Sequence, residues 1–425
     1  MAHTPDTRTR LVVLTDISSL QTGVGEPDDT QSLVRLLHYA NDLEIEGLIA
    51  TYTKHTDGCN PDMIEHVVRC YAEVRDNLAR HDPRYPRAQA LLDGVRGGHR
   101  DWHEVGPGKD SPGSEWIVAV LERPDPRPVW FTIWGGPHEL AQALWRLEQQ
   151  HSPADFAALL GKGRVYAIGD QDRTGPWIRA TYPDLFYLTG RQIYRGIYKD
   201  GDPSLVTWEW VEENIHGHGP LGAAYPNYRG GDPWGRVSGI KEGDTPSFLY
   251  LLPTGLSDPE QPTWGCWGGR FAGTGPQLED AQDRYRGQQS ERATVNRWRP
   301  DFQADFQARL DWGVQPPDAA NHAPIAALAS DPRPVVRPGA VVPLSAAGSV
   351  DPDGDALSYR WWLYPDPGTY AGEVVIEGAE GAEATLIAPA VDAPVVLHLI
   401  LTVTDHGTPP LRSYRRVVIT VDPRA

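Results

Sequence analysis

Cysteine is scarce in this 425-residue chain. There are three, Cys59, Cys70 and Cys266, with no CxxC pair among them. So odd and sparse a set excludes a disulfide framework. Buried free thiols are the expected state, with one Cys59–Cys70 bridge as the alternative. Methionine is scarcer still, at two. No stretch approaches the roughly 18 apolar residues of a membrane span. The polar start, Met1 to Arg10, meets an apolar run of only four residues, Leu11 to Leu14. That is too short for a signal-peptide core, so the chain as given reads as cytoplasmic, with a secreted origin as the alternative. Positive charge is also in deficit. Lys plus Arg number 39 against 57 Asp plus Glu, a net charge of −18. An acidic chain repels phosphate backbones and anionic lipid, which sets aside nucleic acid and membranes as partners.

What is abundant is glycine (43), proline (39) and tryptophan (15). Such a chain is rich in turns and rigid loops and is not a helical bundle, coiled coil or repeat array. Its length calls for two or more compact units. Leu11 to Leu14, Ile45 to Ala50, Val129 to Ile133 and Val165 to Ile168 read as buried strands. Helical spacing fills the gaps at Thr30 to Ala40, Met63 to Leu78 and Leu140 to Leu147. The alternation predicts an α/β domain, an open and mostly parallel sheet with helices on both faces. Ligands of such sheets bind beyond the carboxyl ends of the strands. Composition changes at the proline-rich segment Gln315 to Pro324. Beyond it, short strands such as Val341 to Ser345, Leu357 to Leu363, Val395 to Thr404 and Ser413 to Val421 predict an all-β sandwich. The expected division is therefore 1–315 and 316–425. Alternation within Leu357 to Leu363 puts one of Trp361 and Trp362 in the core and leaves the other more exposed.

The strongest chemical signal is a set of carboxylates. Asp16 ends the first strand, and Glu26-Pro27-Asp28-Asp29 opens the first helix. Capping and the helix dipole account for an acid at a helix start, but not for Asp16 as well. Each close carboxylate pair costs up to about 4 kcal/mol at an effective dielectric near 20. A divalent cation would remove that penalty, and all-oxygen ligands suit Ca2+ or Mg2+.

Leu-Val-Val-Leu-Thr-Asp16 followed by Asp28-Asp29-Thr-Gln-Ser-Leu resembles the aspartate signature of the nucleoside hydrolases. More closely, the chain resembles a bacterial group of nucleoside-hydrolase-like proteins with an immunoglobulin-like tail, some labelled cellulose-binding. The segments that carry this are Ile168 to Trp177, Gly217 to Gly222, Glu242 to Phe248, Trp264 to Arg270, Asp351 to Asp355 and Pro367 to Tyr370. The resemblance implies a nucleoside-hydrolase-type sheet and a Ca2+-dependent hydrolase of a glycosidic bond. Asp16 would bind Ca2+ and act as general base, Asp29 and Asp244 would bind the metal, and Trp134 would offer its backbone carbonyl. Asp28 would hold a sugar hydroxyl. The transfer has three departures. Asp16 and Asp28 stand further apart than in the family signature, Gly243 replaces the family histidine, and Asp170-Gln171-Asp172-Arg173 replaces the ribose-binding pattern. A carbohydrate or other glycoside is thus favoured over a nucleoside, with a true nucleoside N-ribohydrolase and a non-catalytic carbohydrate-binding protein as alternatives.

Other residues carry two readings each. Gln171 and Asp172 are sugar ligands or partners of a loop salt bridge to Arg173. Glu26 is a general acid or a solvated loop carboxylate. His218, with His216, sits in a glycine-rich loop and is a proton donor or a structural histidine. His55 follows the second strand and is a pocket or a surface residue. His138 and Glu139 read as helix-start residues. Trp177, Trp234, Trp264 and Trp267 are sugar platforms or loop packing. Asp351, Asp353 and Asp355 read as a turn. A homo-oligomer is left open.

Overall fold

The protein is represented by a computed structural model that describes residues 7–21, 27–100, 104–227 and 238–425. The first sheet has eight strands: β1 (Thr9–Thr15), β2 (Leu43–Ala50), β3 (Val95–Gly97), β4 (Val129–Ile133), β5 (Gly163–Ala167), β6 (Phe186–Thr189), β7 (Phe271–Ala272) and β8 (Gln277–Asp280). Their order is β3-β2-β1-β4-β5-β6-β8-β7, parallel throughout except for the edge pair β7·β8. Strand order reverses between β1 and β4, the switch point at which α/β sheets open a crevice.

The apolar run Leu11 to Leu14 is fully buried because both faces of β1 are covered. Leu11 and Val13 enter one core cluster, and Val12 and Leu14 enter another. Helices α1 (Pro27–His38) and α2 (Pro61–His81) cover the first face. The helices Pro112–Glu122 and His138–Gln150 cover the second. Helix α1 starts at Pro27, earlier than the apolar spacing indicated. Proline is well suited to a first helical position, where its missing N–H is not needed.

A hairpin of β9 (Asp283–Tyr285) and β10 (Gln288–Ser290) leads to the helix Arg299–Trp312. The last part of the chain forms two sheets. One has four strands, β11 (Val335–Val336), β17 (Arg412–Val421), β16 (Val395–Asp405) and β13 (Leu357–Leu363), in that order. The other has three, β12 (Val341–Ser345), β15 (Glu383–Ile387) and β14 (Ile376–Glu377). They enclose a core of their own, consistent with a β-sandwich. Trp361 lies in that core, and Trp362 is half-buried on the opposite face. Tyr364, Ile400 and Tyr414 join the core of the first domain instead, so the two parts share apolar packing. The acid-rich turn is local: Asp351 accepts from the backbone N–H groups of Asp353 and Asp355 at 2.9 and 3.0 Å. All three cysteines are free, with Cys266 buried and the other two half-buried. Among the described residues, no helix is long and apolar enough to cross a membrane.

Candidate functional site

A cavity of about 630 Å3 lies at the switch point, and its lining joins Asp16, Asp28, Asp29, Trp134, Gln171 and Asp244. Each comes from an element whose sequence explains its place. Asp16 follows β1 directly, and Trp134 follows β4, its neighbour in the sheet. Asp28 and Asp29 occupy the first turn of α1, where the helix dipole favours negative charge. Asp244 precedes the short helix Thr245–Leu249. The indole of Trp134 donates to Ser247 Oγ at 2.9 Å, and that hydroxyl donates to the Asp244 carbonyl at 2.6 Å. The strand end and the Asp244 turn are thereby fixed to each other.

Two glycines let the carboxylates approach the end of β4. A Cβ on Gly135 would lie 2.7 Å from the Asp16 side chain, and one on Gly136 would lie 2.1 Å from Asp172 Oδ2. Burial, reinforced by the charge of Asp28, pushes the Asp16 carboxyl up to about 7. Asp29 accepts from the Thr15 hydroxyl. Asp28 pairs with the Lys241 ammonium at 3.4 Å. Gln171 donates its amide to the Trp134 carbonyl.

These oxygens are the hard donors that calcium takes. Their present hydrogen bonds leave room for it: a carbonyl oxygen has a second lone pair, and a carboxylate has a second oxygen. The donor chemistry therefore fits a calcium ion. The spacing is looser than a closed metal site, since among the described residues no three His, Cys, Asp or Glu side chains are gathered as a metal-holding group.

A side cavity of about 130 Å3 shares Asp16 and Gln171 and adds His55, His138 and Asp172. Asp172 accepts from the Thr174 N–H and hydroxyl, both at 2.6 Å, and burial raises its carboxyl. Burial, with Lys54 and Lys241 nearby, lowers the His55 imidazole. Glu139 begins the helix behind this cavity, accepts from the His99 N–H at 3.0 Å, and is fully buried.

Several expected residues lie elsewhere. His218 lines neither cavity; its Nε2 pairs with Asp311 at 3.1 Å on the helix Arg299–Trp312, so it is not placed to protonate a leaving group here. His216 is likewise engaged, with Glu212 and the Tyr225 carbonyl. Trp267 is 1% exposed and packs edge-on against Phe302 and Tyr414, which makes it domain-junction core rather than a platform. Trp177 sits in the helix Thr174–Thr181 and packs edge-on against Tyr182. Trp264 packs edge-on against His398. Glu26 and Trp234 lie outside the described residues.

One wall escaped the reading of the sequence altogether. Arg191, Tyr194, Arg195, Tyr198 and Lys199 face the carboxylates across the larger cavity, with Lys241. They follow the end of β6, so the strand-end rule could have found them. A Cβ on Gly243 would meet the Tyr194 ring at 3.3 Å. The tyrosine thus crowds the position where the resemblance implies a histidine.

The comparisons agree with this fold. A family model described as the nucleoside hydrolase-like domain of cellulose-binding Sde182 matches residues 10–271. A second, described as the C-terminal domain of cellulose-binding protein Sde0182, matches residues 341–421. A solved structure, a nucleoside hydrolase-related hypothetical protein from Saccharophagus degradans associated with carbohydrate metabolism, is 34% identical. It covers 98% of this chain and 100% of its own, with a TM-score of 0.83. The PKD domain from KIAA 1837 protein and the protocadherin γB4 extracellular domain each match 23% of the chain at 21% identity. They cover 89% and 17% of their own chains, and their TM-scores of 0.17 and 0.16 are too low to carry an argument. No curated protein sequence matches. The chain belongs to the Sde182 family of nucleoside hydrolase-like proteins, with that family's C-terminal domain.

Proposed function

We propose that the chain hydrolyses a glycosidic bond in a carbohydrate substrate, with calcium as its cofactor and Asp16 as the base toward water. The observation that carries this is the meeting of Asp16, Asp28, Asp29, Asp244 and the Trp134 carbonyl around one cavity at the sheet's switch point. Asp16, Asp29, Asp244 and Trp134 are the residues that would hold the ion. Bound calcium would supply Lewis acidity toward the attacking water.

The rest of the chemistry belongs to the chain. Asp16 takes the proton of the water as its oxygen bonds the anomeric carbon and the glycosidic C–O bond breaks, the departing oxygen taking its proton from solvent water. Asp28 accepts a hydrogen bond from a sugar hydroxyl, with the Lys241 ammonium 3.4 Å away. Gln171 and Asp172 extend the polar lining toward the side cavity, where His55 stands. Neighbouring carboxylates stabilise the oxocarbenium-like transition state. The carbohydrate substrate class has support from the association of the Saccharophagus protein with carbohydrate metabolism.

Reducing-sugar release from a panel of oligosaccharides tests the reading, with inosine and uridine as controls. Asp16→Asn is expected to lower turnover by at least about a hundredfold, as loss of a general base does. Chelation should abolish turnover, and added calcium should restore it. Unchanged turnover in Asp16→Asn would overturn the mechanism.

A second reading is a non-catalytic carbohydrate-binding protein. It is favoured by the engagement of His218 with Asp311, away from the cavity, and by the cellulose-binding description of the family. Oligosaccharide binding without released sugar, insensitive to chelation, would establish it.

A further inference from the structure

A second cavity, of about 650 Å3, lies where the sandwich meets the first domain. One wall is the outer face of the four-stranded sheet. Alternation along β13 sends Trp361 inward and leaves Ser358, Arg360 and Trp362 on this face. Thr404 and Thr402 on β16 stand opposite Ser358 and Arg360, and Arg412 and Tyr414 on β17 come next. The facing wall is Tyr285, Arg297, Trp298 and Asp301. No residue lines both this cavity and the carboxylate cavity.

The lining chemistry is aromatic and polar but charge-balanced. The Trp298 and Trp362 rings are 5.9 Å apart, and the Arg297 guanidinium lies within 6 Å of both and of Tyr285. Arg297 pairs with Asp283 and Asp366 at 2.7 and 3.0 Å, Arg270 with Asp283 at 2.7 Å, and Arg412 with Asp301, so these three cations offset three carboxylates. What remains is Arg360 against Glu380, one charge of each sign. An ionic ligand would find no net field to select it. Trp298 is 3% exposed, and its indole Nε1 has no hydrogen-bond acceptor among the described residues. The Arg360 guanidinium and the Thr404 hydroxyl, both lining the cavity, suit a ligand rich in acceptors. The volume lies in the range of small-molecule sites.

We propose that this junction cleft binds a neutral saccharide chain, at a site distinct from the carboxylate cavity. The apolar C–H faces of hexose rings would stack on Trp362 and Tyr285, and their hydroxyls would bond Ser358, Arg360 and Thr404. The inference does not depend on glycosidic hydrolysis. A chain held here would anchor a polymer on the same molecule that carries the carboxylate site.

Calorimetric titration of the full chain with cellohexaose, xylohexaose and mannohexaose tests it. Saturable binding of at least one is expected. Trp362→Ala should weaken it about tenfold, the scale of one lost aromatic contact. Arg360→Ala, at an exposed position that leaves the fold intact, should weaken it several-fold. In an Asp28→Asn background, which disables the carboxylate cavity, binding should persist and still fall with Trp362→Ala and Arg360→Ala. The proposal is overturned if none of the three binds at millimolar concentration. It is also overturned if no binding remains in Asp28→Asn, or if the binding that remains there is unaffected by Arg360→Ala.

Discussion

Replacing Arg35 with methionine is expected to destabilise the protein sharply and to disturb the Asp244 turn. Arg35 and Glu242 form an ion pair at 2.6 Å with both side chains fully buried. The guanidinium also donates to Gln303 at 2.6 Å and lies 3.9 Å above the Phe306 ring. Glu242 accepts from Tyr225 as well and stands two residues before Asp244. Methionine keeps most of the apolar packing but leaves the Glu242 carboxylate buried without its cation. Breaking a buried pair from one side costs about 3–5 kcal/mol, much of it from the stranded charge. Removing both charges, in Arg35→Met with Glu242→Gln, should recover a large part of that loss. Urea unfolding measures both variants, and the midpoint should move without a change in slope. A loss below about 1 kcal/mol in Arg35→Met, or a double variant no better than the single one, would refute the stranded-charge argument.

Three further outcomes are expected. Gly136→Ala should displace Asp172, whose Oδ2 stands 2.1 Å from the added Cβ, and weaken saccharide binding at the carboxylate cavity while costing about 1–3 kcal/mol of stability, both readable by titration and urea unfolding. Burial pushes the Glu139 carboxyl from 4.5 up to about 8, so its contribution to stability is full below about pH 4.5 and is lost as pH climbs through about 8. Glu139→Gln should therefore flatten the fall in urea midpoint between pH 5 and 9, leaving the smaller falls from Asp16 and Asp280, whose carboxyls are also raised. Lys241→Met removes a positive charge from beside Asp28 and should tighten calcium binding by about tenfold or more in calorimetric titration; weaker binding would contradict the placement of the ion.

Much of the first domain was legible because its signals are local. An unbroken apolar run too short for a helix reads as a strand buried on both faces, and Leu11 to Leu14 divide between two cores as that demands. Asp16 and Asp28-Asp29 stood out because a strand end and a helix start place charge at one edge of the sheet. Parity along their strand required one of Trp361 and Trp362 to be core and the other more exposed, and the core one is Trp361. What failed depended on distant packing. His218 looked catalytic in its glycine-rich loop, but a loop's composition does not say which end of the sheet it reaches, and it reaches Asp311. Trp267 looked like a sugar platform until Tyr414 of the second domain packed against it. The wall from Arg191 to Lys199 was missed because β6 is only four residues long and offered no clear run to anchor it.

A crystal structure of the full chain grown with calcium, collected for anomalous signal, tests the central assignment most directly. The expected result is one strong peak in the cavity, bonded to Asp16, Asp29, Asp244 and the Trp134 carbonyl at the 2.3–2.6 Å typical of calcium–oxygen contacts, about that range in every bond. A cavity with no peak, its carboxylates apart and Asp28 still paired with Lys241, would contradict it.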